Sequence, residues 1–102
     1  MSGFSDFETN ASIRGYILRS LVKGCHFSLL VKTLANKMMS NGVINSPDIS
    51  DYLYYLEQCN LIEFSNKSGA LKALADDAVV KLTVEGIRFI ENGGNAEMGI
   101  DL

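Results

Sequence analysis

Histidine and proline each occur once in this chain, cysteine occurs twice, and no lysine or arginine falls between Ser46 and Phe64. One histidine, His26, is too few for the histidine clusters that hold catalytic metals. Cys25 and Cys59 lie far apart in no paired-ligand spacing, which excludes a disulfide framework and fits reduced thiols in a cytoplasm. A zinc site from Cys25, His26 and Cys59 would need a fourth ligand and two distant segments brought together, so both thiols are read as buried and apolar in character. No metal and no cofactor are expected. Also missing is an apolar run long enough to cross a bilayer, and nothing in Met1–Glu8 resembles a signal peptide. A cytoplasmic chain with no membrane partner is the expectation.

Catalytic arrangements are missing too. Cys25 and His26 are neighbours in sequence, whereas a nucleophile and its base must face each other across a pocket. No phosphate-cradling loop or pair of facing carboxylates is present, and Asp76-Asp77 reads as a solvated loop pair. The expectation is a protein that is not an enzyme. Basic residues are the minority, with a formal charge of −3. That argues against a general nucleic-acid coat, because such affinity is mostly phosphate neutralisation, but it leaves room for a local basic patch.

What is present is a patterned chain of 102 residues, 47% hydrophobic and 21% charged, enough for one core. Residues 1–8 show no period and read as a flexible lead-in. Ile13, Ile17, Leu18, Leu21 and Val22 recur at helical spacing, with Thr9 or Asn10 as cap and Gly24 suited to a left-handed end. Ser28 offers a cap for a second helix carrying Leu30, Leu34 and Met38, closed by Asn41-Gly42. Ser46-Pro47 opens a third, with Asp48 favoured by the helix dipole, Ile49, Leu53 and Leu56 facing inward, and Tyr52 and Tyr55 flanking them. "CNLIEFSN" and "AVVKLT" read as two strands around a long loop, partly mobile. "TVEGIRFIENGG" is a last helix capped by Thr83, and residues 95–102 read as a tail.

Three helices, a strand, a loop, a strand and a closing helix give an α+β, mostly helical domain over residues 9–94. Its order is that of a winged helix-turn-helix with a two-stranded wing and a C-terminal helix. The stretches "RGYILRSL", "DYLYYLEQCNLIEF", "VVKLTVEGIRFIENG" and "MGIDL" resemble small winged-helix proteins of Mu-like prophages, related to the ArsR group of transcription regulators. The resemblance spans nearly all of the chain from Ile13 onward and implies a DNA-binding regulator. ArsR-type metal sensors carry cysteines inside the recognition helix. Here Ser46–Tyr54 has none, so metal sensing is not implied.

The candidate site follows from that fold. Lys32 and Lys37 on the second helix, and Lys67 and Lys72 in the wing loop, are placed to touch the phosphates of double-stranded DNA. Asn45, Ser46, Ser50, Asp51, Tyr54 and Gln58 are the candidates for reading base edges. Each lysine has a plainer reading as a solvated surface charge, and helical tyrosines are more often core than contact. The acidic, tyrosine-bearing face also suits a protein partner, which keeps an adaptor on the same fold as the rival reading. Surplus apolar positions on the first and last helices (Tyr16, Leu18, Val22, Phe89 and Ile90) point to a homodimer through those helices.

Overall fold

Ile13, Ile17, Leu18 and Leu21 recur at helical spacing in α1 (Gly3–Val22), and all four side chains are buried. The computed structural model describes the backbone of residues 3–102 and the side chains of residues 10–95 and 97–102. Of the lead-in expected over residues 1–8, the first two lie outside the described residues, and from Gly3 the backbone is helical. Thr9 and Asn10 therefore sit inside α1 rather than capping it. Once a turn exists, each added residue contributes a hydrogen bond without a new nucleation cost, and no proline stops the extension.

After α1 come β1 (Ser28–Leu30), α2 (Val31–Ser40), α3 (Ser50–Gln58), β2 (Ile62–Phe64), β3 (Val79–Leu82) and α4 (Val84–Glu91). The domain is α+β and about half helical, with an antiparallel sheet in the order β1-β3-β2. The sheet has three strands where two were expected. Ser28 does not cap α2: its hydroxyl donates to the Cys25 carbonyl at 2.7 Å, and its backbone pairs opposite Lys81 in β3. Without β1 that edge of β3 would leave its backbone groups unpaired. Leu30 becomes the N-cap of α2 and is exposed, while Val31, Leu34, Ala35 and Met38 face the core.

The turn before β1 also differs from expectation. The left-handed residues are His26 (φ 54°) and Phe27 (φ 62°), not Gly24. Gly24 serves proximity instead, since a Cβ there would lie 2.3 Å from the Ser28 carbonyl oxygen. Cys25, expected buried, is exposed in this turn, and Cys59 is half-buried. A bulky residue at positive φ is a strained state, costing on the order of 1–3 kcal/mol, and it is held here by the Phe27 carbonyl accepting from Leu82 N at 3.0 Å.

The loop joining β2 to β3 folds back on α3. A short 3₁₀ turn, Gly69–Lys72, packs against that helix, and Ala70, Ala73 and Ala78 are buried. Asn66 Nδ2 donates to Asp76 Oδ2 at 2.8 Å and pins the two ends of the loop together. Alanine's small side chain lets the loop lie close on the helix. The long loop expected to be partly mobile is thus a packed layer.

The largest departure is at the C-terminus. Residues 95–102 do not form a free tail: Ile100 is 1% exposed and joins the core of Ile17, Leu21, Leu53 and Leu56. Asp101 N donates to the Ala11 carbonyl at 3.0 Å, and Arg14 Nη1 donates to the Gly99 carbonyl at 3.0 Å. The Tyr55 hydroxyl donates to the Met98 carbonyl. This strap fastens α1 to α3 from outside. Part of the apolar surface that points to a dimer in the sequence is covered within one chain, since Leu18 is fully buried and Tyr16, Phe89 and Ile90 are half-buried.

Candidate nucleic-acid interface

The segment leading into α3 is built by local hydrogen bonds. Ser46 Oγ accepts from Asp48 N at 3.3 Å, and Asp48 Oδ1 accepts from Ser50 N at 3.1 Å and from the Ser50 hydroxyl at 2.6 Å. Asp48 is therefore the side chain that ends the turn, and α3 begins at Ser50 rather than at Pro47. An Asx turn satisfies the helix's first donors before proline's fixed φ has any part in it. The hydroxyl and amide of Ser50 hold the Asp48 carboxyl below its ordinary range. Ser46 and Ser50, both candidate base readers, are engaged in this turn, and Asn45 is exposed beside it.

Along α3 the expected inward stripe holds: Ile49, Leu53 and Leu56 are buried. Tyr52 and Tyr55 are half-buried. Asp51, Tyr54 and Gln58 are exposed and, being three and then four residues apart, share one outward face. None of these three side chains takes part in a hydrogen bond or ion pair among the described residues. Tyr54 is 46% exposed, the orientation its place in the sequence predicts. Glu57 does not belong to that face. Its carboxylate turns toward the 3₁₀ turn, against Gly69.

The four lysines are not equivalent. Lys32, at the start of α2, and Lys67 and Lys72, in the packed loop, are all exposed. The 3₁₀ turn that packs on α3 carries Lys72 alongside that helix, and Lys67 lies just before the turn. Lys37 is half-buried, its ammonium 5.9 Å from the centre of the Tyr16 ring. It joins Arg19 of α1 and Lys23 just beyond that helix, which the sequence places one turn apart but does not connect to α2. The connection over residues 41–49, with Val43 and Ile44 packed on the core, is longer than the three or four residues of the simplest helix-turn-helix.

A groove of about 480 Å³ runs between the turn at His26-Phe27 and α4, walled by Leu82, Val84 and Ile87. Phe27 and Val84 are 41% and 65% exposed beside it. Cys59 sits near Arg14 with its thiol pushed up by burial, an effect the guanidinium opposes, so the thiol is protonated and a poor nucleophile at neutral pH. Among the described residues no three His, Cys, Asp or Glu side chains converge, and no helix is long and apolar enough to cross a membrane. Compared with protein-family models, with curated proteins and with solved structures, the chain matches none.

Proposed function

We propose that the chain is a winged-helix DNA-binding protein, a transcriptional regulator of the prophage kind its sequence resembles. The observation that carries this reading is the outward face of α3, where Asp51, Tyr54 and Gln58 present acceptors, a ring and an amide. Exposed Lys72 lies in the 3₁₀ turn that packs against α3, and exposed Lys67 just before that turn. Affinity then comes from phosphate contacts by Lys32, Lys37, Lys67 and Lys72, and preference among sequences from the polar side chains of α3. Such an acidic helix binds weakly in one copy, so the reading includes a homodimer. The apolar surface left for a second copy is at Val22, 41% exposed, and on α4. Sedimentation at micromolar concentration tests that part, and a monomeric mass removes it.

Retention of random and phage-derived duplexes in a gel, from low to moderate salt, tests the function itself. Retention that falls steeply with salt supports it, and no retention at low salt ends it. The second reading is a protein–protein adaptor on the same fold, favoured by the exposed Phe27 and Val84 beside their groove. In that case the same gel shows nothing at any salt.

A further inference from the structure

We propose that the groove between α1 and α2 binds a phosphate group. Arg19 on the last turn of α1, Lys23 just beyond it, and Lys37 and Asn41 at the end of α2 surround a depression of about 220 Å³, floored by Tyr16 and Ser20. Among the described residues no acidic side chain lines it, in a chain whose formal charge is −3. No carboxylate among the described residues comes within ion-pair distance of these three cations.

A plainer reading is that cations at helix C-termini complement the helix dipoles. Each helix end contributes roughly half a negative charge, so two ends offset about one of the three positive charges and leave the groove strongly positive. The dipoles explain each cation's place in the sequence. They do not explain convergence on one depression together with hydroxyl and amide donors.

The donor set selects the ligand. Arg19 has a five-donor fork, of which Nη1 reaches the Asp101 carbonyl at 3.5 Å, leaving the rest available. Lys23 and Lys37 supply point charges. The Tyr16 hydroxyl accepts from Asn41 Nδ2 at 2.6 Å, so its own proton remains to be donated. Donors arriving from several directions suit a tetrahedral oxyanion better than a planar carboxylate. At about 30 Å³ per water, the space equals roughly seven waters, below the ~300 Å³ at which drug-sized pockets begin. One phosphate group fits, with the remainder of its molecule outside.

The phosphate belongs either to a small free molecule or to a nucleic-acid backbone. Amide spectra of the full chain, at ionic strength fixed with chloride, separate the two when pyrophosphate and a short DNA duplex are titrated in parallel. Saturable shifts at Ser20, Lys23 and Asn41 with pyrophosphate, with half-saturation raised about tenfold in Arg19→Gln or Lys37→Met, support a small-molecule site. The same shifts with duplex alone, lost in the same variants, support a backbone phosphate. No shift with either probe, or shifts unchanged in both variants, overturns the proposal. Duplex retention by the wild type is scored separately, so pyrophosphate binding without it would end the DNA reading and leave the groove standing.

Discussion

Gly15 and Asp101 meet backbone to backbone: the Asp101 carbonyl oxygen lies 1.7 Å from where residue 15 would carry a Cβ. The C-terminal strap therefore seats only over a glycine. In an ordinary helix Gly15→Ala would stabilise by about 1 kcal/mol. Here it displaces the strap, exposing Ile100, whose burial is worth about 1.5–3 kcal/mol, and breaking hydrogen bonds of about 1 kcal/mol each. Urea denaturation is expected to show a net loss of about 2–4 kcal/mol. A variant as stable as the wild type would mean the strap does not hold the core.

Thiol chemistry should separate the two cysteines. Cys25 is exposed and Cys59 is half-buried with a raised pKa. Iodoacetamide followed by mass spectrometry is expected to label Cys25 first at neutral pH. Because the folded state disfavours the Cys59 thiolate, the associated stability is complete below the ordinary thiol range and is lost as pH rises through the folded value. Equal labelling rates at both positions would contradict this environment.

The turn at Asp48 has the opposite sign. Its carboxyl is held below the ordinary value, so its contribution is present at neutral pH and is lost as pH falls through the acid range, below about pH 4. The group is exposed, so the effect is small. Asp48→Ala should cost about 0.5–1 kcal/mol at pH 7, and the gap from wild type should close in acid. A pH-independent difference would place the cost elsewhere.

On DNA, Lys67→Ala and Lys72→Ala should each lower the slope of log affinity against log salt by about 0.9, with little change in preference. Asp51→Asn should strengthen binding to random duplex, because a negative charge near phosphates is removed. If Asp51 instead accepts from a cytosine, the variant loses about 1–3 kcal/mol on that sequence alone. Fluorescence anisotropy with both duplexes reads the difference, and no change on either would remove Asp51 from the contact face.

Regular elements could be read from the sequence because their signals are local. Ile49, Leu53 and Leu56 fall on one helical face whatever they pack against, and the Thr83 cap is confirmed by its hydroxyl accepting from Gly86 N at 3.0 Å. β1 has no local signal, because a three-residue strand has no period and depends on a partner 53 residues on, with Ser28 opposite Lys81. The strap has neither helix nor strand pattern beyond a short turn. Its signals were there in Met98, Ile100 and Leu102 alternating, and in a glycine placed mid-helix at position 15. The α3 face was legible for the same reason as its core stripe. The α1–α2 groove was not, because Arg19, Lys23 and Lys37 converge only once both helices are packed.

Because the strap ties Arg14 to Gly99 across 85 positions, the fold has an order in time as well as in space. During synthesis α1 must wait, one flank bare, for residues 85 positions further on. Until then its unsheltered flank is open to chaperones or to other nascent chains.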